Sequence, residues 1–184
     1  MTGIASKSQL RMSLLRYALV TVPLILLLGT ISGRASNSGY SNAWFASLAK
    51  PEAMPPAWAC PVAWTVLYVM LGLALAMVLS ARGAHGRPLA LGLFLLQLVL
   101  NFAWSPVFFA MHQTRAALFL IAAMLLVAIA AAVLFGRIRR SAGLLMVPYI
   151  AWLAFAGYLN YRIVELNPGA ETLVPGEAST DIPL

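Results

Sequence analysis

An all-α membrane protein with five transmembrane helices is the fold that this sequence predicts, from its composition and its spacing of charges. The chain of 184 residues is 62% hydrophobic and only 9% charged, with a mean hydropathy of +0.88, which is outside the usual range of soluble domains. Charges divide it into long uncharged windows, and a bilayer core about 30 Å thick needs roughly 20 apolar residues for one helical crossing. We expect helices at about 17–33, 57–81, 88–110, 115–136 and 142–165.

The two ends of the chain are expected to lie outside this helical domain of residues 17–166. Residues 1–16 read as a mobile basic arm, and residues 167–184 as a disordered tail rich in Pro, Gly and acidic residues. The first window also resembles a secretory signal, because basic residues precede its apolar run and Gly33-x-Ala35 fits a cleavage site. We favour a retained first helix, which the family resemblance given below requires.

The distribution of basic residues predicts the orientation in the membrane. The N-terminal arm and the loops after the second and fourth helices hold eight Lys and Arg and no acid, whereas the other side holds four Lys and Arg and all five acids. The positive-inside rule therefore places the N-terminus in the cytoplasm and the C-terminus outside. The net charge of +7 is a topology signal; nucleic-acid binding would need a clustered soluble face.

Three of the predicted helices carry aromatic and neutral polar side chains along one face. Residues three or four apart share a helix face, and an amide facing lipid would cost several kcal/mol, so these faces should point into the bundle. They comprise Cys60, Trp64 and Tyr68; Gln97, Asn101, Trp104 and Ser105; and Tyr149, Trp152, Ala156 and Asn160. Together they predict a flat-walled apolar pocket. For any single residue, interhelical hydrogen bonding or the interfacial aromatic belt is the alternative.

Residue types needed for ion coupling or acid–base catalysis are missing from the predicted membrane interior. No Asp, Glu, Lys, Arg or His falls at mid-membrane depth, where proton relays and ion-coupled pumps need ionisable groups. His85 and His112 lie in loops on opposite sides and cannot act together. The single Cys60 excludes an internal disulfide and a cysteine-based metal site. We therefore expect no catalytic residue, no metal and no obligatory cofactor.

Two short motifs permit further interactions without demonstrating them. Gly29 and Gly33 form a GxxxG pattern that permits a homodimer. Leu153, Tyr158 and Arg162 fit a proposed sterol-binding pattern. An interfacial tyrosine beside a snorkelling arginine is the alternative interpretation of that pattern.

Four segments and a short motif occur in a recognisable order: WFASLAKPEAMPPAW (44–58), PVAWTVLY (61–68), QLVLNFAWSPVFF (97–109) and VPYIAWLAFAGYLNY (147–161), followed by LNP. They resemble the translocator protein or tryptophan-rich sensory protein family (TspO/MBR), formerly called the peripheral benzodiazepine receptor. The resemblance runs from about residue 44 to residue 168. It implies a five-helix membrane protein, commonly dimeric, that binds porphyrins, sterols and synthetic ligands beneath the first loop.

The resemblance also implies roles for individual residues. Trp44, Pro55 and Pro56 would shape the lid of the pocket, Trp64 and Tyr68 its wall, and Asn101, Trp104, Trp152, Ala156 and Asn160 the rest of the cavity. Bacterial members often carry aromatics where this chain has Glu52 and Ala53, and an aromatic is common at Cys60. These departures would reduce porphyrin affinity or photochemistry here.

The expected function is that of a receptor or sensor rather than an enzyme. As a multi-pass protein of a bacterial cell membrane, it would bind a porphyrin or haem-type tetrapyrrole and have a regulatory or carrier role in pigment or stress physiology. Light- and oxygen-dependent porphyrin degradation and passive transport of a tetrapyrrole or sterol-like molecule are the alternatives. Expected partners are membrane lipid, such a ligand and a second copy of the chain, with no nucleic acid.

Overall fold

Five helices within residues 7–173, the part of the chain that the computed structural model describes, are long and apolar enough to cross a membrane. They are α1 (Lys7–Ala35), α3 (Ala59–Ser80), α4 (Arg87–Ser105), α5 (Thr114–Ile138) and α6 (Arg140–Leu166), and a short helix, α2 (Ala43–Ser47), follows α1. A π-helical turn, Pro106–Ala110, extends α4, and a 3₁₀ turn, Ala170–Thr172, follows α6. The predicted all-α fold with five membrane helices is confirmed.

The five long helices form a closed ring in the order α1, α3, α6, α5 and α4, with α4 returning to α1. Three of the four connections are short, so consecutive helices run antiparallel. In the core between α4 and α5, Phe94 and Phe135 stack with ring centroids 5.0 Å apart. Large apolar side chains remain exposed on the outer face of every long helix, as lipid contact requires; examples are Leu19, Val62, Val99, Phe119 and Leu144.

The first helix packs closely into this ring. A Cβ at Gly72 of α3 would lie 2.7 Å from the Cα of Val22, so the two backbones touch there. The Thr21 hydroxyl donates to the Gly72 carbonyl over 2.8 Å. Gly29 packs against the ring of Tyr68. One glycine of the GxxxG pattern is therefore in contact within the chain, whereas a Cβ at Gly33 would meet only Ser38 Oγ, at 4.0 Å.

The predicted N-terminal boundary of the helical domain needs correction, whereas the C-terminal boundary at residue 166 coincides with the end of α6. α1 begins at Lys7, so the expected arm is helical from that residue onward, and residues 1–6 lie outside the described part of the chain. The sequence from Lys7 to Arg16 contains no Gly or Pro and consists largely of good helix formers. The helix therefore extends beyond the apolar window on which the prediction rested. At the other end, α6 is followed by the ordered turn Ala170–Thr172.

Candidate functional site

Four aromatic rings meet between α3 and α6, and we call them the interior aromatic cluster. The Trp64 ring centroid lies 5.4 Å from that of Tyr68, 6.5 Å from that of Tyr149 and 6.3 Å from that of Trp152. Helical spacing sets each pair side by side on its own helix. Ala156 packs against the same core one turn beyond Trp152. The structure thus brings residues from two of the three predicted helix faces together in a continuous aromatic wall.

A hydrogen-bond network joins this cluster to α4. The Tyr68 hydroxyl donates to Asn101 Oδ1 over 2.8 Å, Asn101 Nδ2 donates to the Tyr149 hydroxyl over 3.2 Å, and that hydroxyl donates to Gln97 Oε1 over 2.6 Å. Gln97 and Tyr149 are both 0% exposed. The amides of α4 therefore face the tyrosines of α3 and α6 rather than lipid. Sequence reasoning placed Gln97 on this face but left it out of the ligand site.

Four buried polar atoms among the described side chains have no hydrogen-bond partner: Gln97 Nε2, Trp104 Nε1, Trp152 Nε1 and Asn160 Oδ1. Buried polar groups in proteins are almost always paired, and an unpaired one costs about 1–3 kcal/mol. The Asn160 amide is half satisfied, because its Nδ2 donates to the Thr114 carbonyl over 3.0 Å. Three groups with N–H donors and one amide oxygen in the described interior therefore lack a protein partner.

The helix α4 changes its winding where the interior meets the first loop. Pro106 has no N–H, and the chain widens there into the π turn, in which the Met111 N–H donates to the Pro106 carbonyl over 2.9 Å. Such turns are rare and occur frequently at functional sites. The turn stacks Phe108 on Trp104, with ring centroids 5.0 Å apart. Trp104 also packs against the core that contains the interior aromatic cluster, so it links the two regions.

The loop of residues 36–58, which contains α2 and which we call the lid, covers this end of the bundle. Its Trp44 and Phe45 are 1% and 2% exposed and pack against Phe108. The Trp44 ring stacks on His112, with centroids 4.3 Å apart and planes 11° apart. Its Nε1 donates to the Ala170 carbonyl over 2.8 Å. Trp44 therefore anchors the lid and does not belong to the interior aromatic cluster.

Polar side chains close both ends of α2. Asn42 Oδ1 accepts from the Phe45 N–H over 3.0 Å as the N-cap, and Asn42 Nδ2 donates to the Phe109 carbonyl over 3.2 Å. At the other end Lys50 Nζ donates to the carbonyls of Phe45 and Leu48 over 2.9 and 3.1 Å. An ammonium suits the negative end of a helix. Burial lowers the pKa of the Lys50 amine below its ordinary value.

Residues after α6 hold the lid from the opposite side. Asn167 Oδ1 accepts from the Ala49 N–H over 2.8 Å, and Asn167 Nδ2 donates to the Ala49 carbonyl over 2.9 Å. Glu171 Oε1 accepts from the Arg115 N–H over 2.9 Å and from the Thr114 hydroxyl at the start of α5. The expectation of a disordered tail is therefore wrong for residues 167–173. Residues 174–184 lie outside the described part of the chain.

Pro55 and Pro56, which the resemblance implies would shape the lid, lie in the lid shortly before α3. The Pro55 carbonyl accepts from the Tyr40 hydroxyl over 2.7 Å, and Pro56 is exposed. The helix α3 begins at Ala59. Both prolines therefore belong to the lid segment that leads into α3.

The residues of the sterol-binding pattern do not share one surface. Leu153 is 0% exposed and belongs to the core, whereas Tyr158 is 48% exposed on the outside. The Arg162 guanidinium pairs with the Glu165 carboxylate over 2.6 Å. This arrangement favours an interfacial tyrosine and a locally paired arginine.

An outward groove lies beside the interior aromatic cluster. It has a volume of about 520 Å³ between α3 and α6, and its walls are apolar residues such as Val66, Met70, Ala151 and Phe155. Trp152 lines this groove as well. One indole therefore stands between the aromatic interior and the lipid-facing surface.

Comparison with known proteins places this arrangement in a family. A family model described as the TspO/MBR family matches residues 20–166. The chain belongs to the TspO/MBR family. The resemblance recognised in the sequence is thereby confirmed, and the TspO/MBR match includes the interior aromatic cluster and the whole lid. It ends just before Asn167, so the residues that hold the lid after α6 lie beyond it.

Three curated relatives illustrate how far the TspO/MBR similarity extends. The chain is 40% identical over 127 residues to a tryptophan-rich protein TspO of Chlorobaculum tepidum, covering 68% of this chain and 80% of the relative. It is 37% identical over 142 residues to a translocator protein of Bos taurus, covering 76% and 84%. It is 35% identical over 134 residues to a protein CrtK of Rhodobacter capsulatus, covering 72% and 83%.

Proposed function

We propose that this TspO/MBR protein is a membrane receptor or sensor that binds a flat apolar ligand, of the porphyrin type, between α3, α4 and α6 beneath the lid. The observation that carries the proposal is the set of unpaired buried N–H donors on Gln97, Trp104 and Trp152 beside flat aromatic walls. A porphyrin has a wide apolar face for these rings and carboxylates that accept hydrogen bonds. Pockets for such molecules are largely apolar with a few convergent polar groups.

Binding rather than chemistry suits the residues around this site. The hydrogen-bond network consists of side-chain amides and tyrosine hydroxyls. The donors without a partner belong to one amide and two indoles. Relatives named translocator protein and tryptophan-rich sensory protein support a receptor or carrier. We place the protein in a bacterial cell membrane with its N-terminus in the cytoplasm, where it would link tetrapyrrole level to pigment or stress physiology.

The proposal is tested by titrating the detergent-purified protein with protoporphyrin IX. Porphyrin absorbance is the better signal, because the variants remove the tryptophans whose quenching would otherwise report binding. Trp64→Ala/Trp152→Ala removes two walls and should weaken binding about tenfold or more, since each aromatic contact contributes about 0.5–1.5 kcal/mol. Trp58→Ala is the matched control, because Trp58 is 69% exposed outside the cluster. Equal affinity in the parent and the double variant would contradict the proposal.

Light-dependent porphyrin degradation is the second candidate function. The observation in its favour is the pair of oxidisable indoles, Trp64 and Trp152, with ring centroids 6.3 Å apart in the proposed site. Porphyrin bound to the parent should then bleach faster under light and oxygen than porphyrin in detergent alone, and the double variant should lose the difference. Bleaching at the detergent rate would remove this activity and leave the receptor proposal intact.

A carrier role is favoured by the outward groove at Trp152. Release of a tetrapyrrole to lipid through that groove would be downhill, since the described residues of the site include no carboxylate, amine or imidazole for coupling. Proteoliposomes should then equilibrate porphyrin faster than empty liposomes. Equal rates would exclude the carrier role without affecting a sensor.

A further inference from the structure

A second groove lies at the end of the bundle opposite the lid. It has a volume of about 580 Å³ and is formed by the start of α1 together with Arg82 from the loop after α3. Its polar walls include Ser13, Arg16 and Tyr17, and Val20 lines its apolar side. We call it the α1–Arg82 groove. It shares no residue with the site beneath the lid.

The length of α1 places this groove at the depth of lipid headgroups. With 29 residues, α1 is about 43 Å long, whereas α3 with 22 residues is about 33 Å and the hydrocarbon core about 30 Å. Arg82 Nη2 donates to the Tyr17 hydroxyl over 3.2 Å just beyond the end of α3. Tyr17 is therefore level with the end of α3, and the residues before it project beyond the apolar span. Arg16 and Arg82 lie at that boundary.

Among residues 7–173, no carboxylate pairs with the positive charge at this end of the bundle. The sequence has five acidic residues, and none lies between Lys7 and Lys50 or between Arg82 and Arg140. Among the described side chains the only ion pair is Arg162–Glu165, at the other end of the bundle. An anion from outside the chain would therefore meet two exposed arginines without a competing carboxylate from the described residues.

The groove is also continuous with apolar surface that runs toward the bilayer centre. Val20 is 62% exposed and Leu24, one turn further along α1, is 49% exposed. A molecule with a charged head and an apolar chain fits both parts of this surface. Arginine forks bind phosphate oxygens in a bidentate manner, and basic pockets at the ends of membrane helices suit acidic headgroups.

We propose that the α1–Arg82 groove binds an anionic phospholipid, with its phosphate between Arg16 and Arg82 and an acyl chain along Val20 and Leu24. A zwitterionic lipid would bring its own cation toward the two arginines and would bind more weakly. A soluble phosphate would leave the apolar side of the groove unused. The site is independent of any ligand beneath the lid.

The test uses the full chain in detergent, titrated with phosphatidylglycerol or phosphatidylcholine and followed by native mass spectrometry. Arg16→Gln/Arg82→Gln should weaken phosphatidylglycerol binding about tenfold or more, since two charge-assisted contacts are lost. Arg137→Gln/Arg140→Gln is the matched control, because both arginines are exposed at the same end and the charge change is equal. This control should lose less than about threefold in affinity for phosphatidylglycerol. Equal losses in the two variants, or equal affinity for the two lipids, would overturn the proposal.

Two further measurements separate a lipid site from a site for free phosphate and from a folding defect. Val20→Gln keeps every charge and should weaken phosphatidylglycerol binding, whereas soluble glycerol phosphate should bind far more weakly than the lipid. Glycerol phosphate that binds as tightly as the lipid would overturn the proposal. Arg16→Lys/Arg82→Lys preserves net charge for the case in which the glutamine variant does not fold. It should still lose binding about threefold because lysine lacks the planar fork, and full retention would also overturn the proposal.

Discussion

In the lid, Trp44 Nε1 donates to the Ala170 carbonyl and Lys50 donates to the carbonyls that end α2, whereas in the interior Trp104 and Trp152 leave their Nε1 atoms unpaired. The same residue type thus has a fixed partner in one region and none in the other. A loop outside the helices must satisfy its own backbone and side chains to hold one shape. An interior that keeps unpaired donors bears a cost that a bound ligand can remove. The lid is therefore held by its own hydrogen bonds, whereas the interior retains buried polar atoms without a partner.

The largest expected effect is the difference in unfolding free energy between two single variants, Trp44→Ala in the lid and Trp152→Ala in the interior. Trp44→Ala should reduce the free energy of unfolding by about 3–5 kcal/mol, because Trp44 is 1% exposed and its loss leaves a large cavity. Trp152→Ala should cost less than about 2 kcal/mol, since it also removes an unpaired donor. Chemical unfolding in mixed micelles measures both. Equal losses of unfolding free energy in the two variants would contradict the difference proposed between lid and interior.

The tyrosine at the centre of the network should have the next largest effect. Tyr149→Phe leaves Gln97 Oε1 and Asn101 Nδ2 without partners in a buried site, which should cost about 2–3 kcal/mol. Tyr158→Phe, which removes an exposed hydroxyl, is the control and should be near neutral. A neutral Tyr149→Phe would mean that water replaces the hydroxyl.

The attachment of the lid to the end of α6 should contribute less. Asn167→Ala removes the two hydrogen bonds to Ala49 and should cost about 1–2 kcal/mol. Faster amide exchange at Ala49 and faster proteolysis of the lid would report the loss. Thr172→Ala is the control, because its hydroxyl bonds within its own turn. Unchanged exchange in Asn167→Ala would show that aromatic packing alone holds the lid.

The smallest expected effect is a response of the lid to alkaline pH. Burial, and then the nearby Cys60, raise the pKa of Tyr40 above 10.0. A raised pKa in the folded state means that this contribution to stability is present below pH 10.0 and is lost as pH rises through the folded pKa. The parent should therefore lose lid stability above that pH relative to Tyr40→Phe, in which Lys50 still titrates. Identical alkaline responses of parent and variant would contradict this assignment.

Much of the fold follows from local patterns, and the errors occur where long-range contacts decide. The apolar windows predicted five helices, because the cost of burying charge in lipid depends on composition alone. The start of α1 at Lys7 was missed, since helix formation continues past the apolar window wherever no Gly or Pro stops it. The sequence also did not predict that the segment after α6 is structured, because Asn167 and Ala170 form their hydrogen bonds with distant residues of the lid.

For the candidate site too, local spacing predicted some features, and only the tertiary structure showed the others. Spacing of four placed Trp64 and Tyr68 on one face, and the LNP motif marked Asn167 without indicating its role. No local pattern showed that Gln97 would pair with Tyr149 or that Trp44 would stack on His112. Helical spacing shows which side chains share a face of their own helix, but it does not show which neighbouring helix that face contacts.

The sequence by itself determined the five membrane helices and the inward direction of their polar stripes, because these depend on transfer free energies and helical periodicity within short windows. Its ordered motifs indicated the family. Only the tertiary structure decided which stripes meet, which indoles stay unpaired and how the lid is held. The Trp44–Ala170 hydrogen bond spans 126 positions and the Tyr149–Gln97 bond spans 52. Such pairs form when the ring of helices closes, and closure depends on close contacts such as that of Gly72 with Val22.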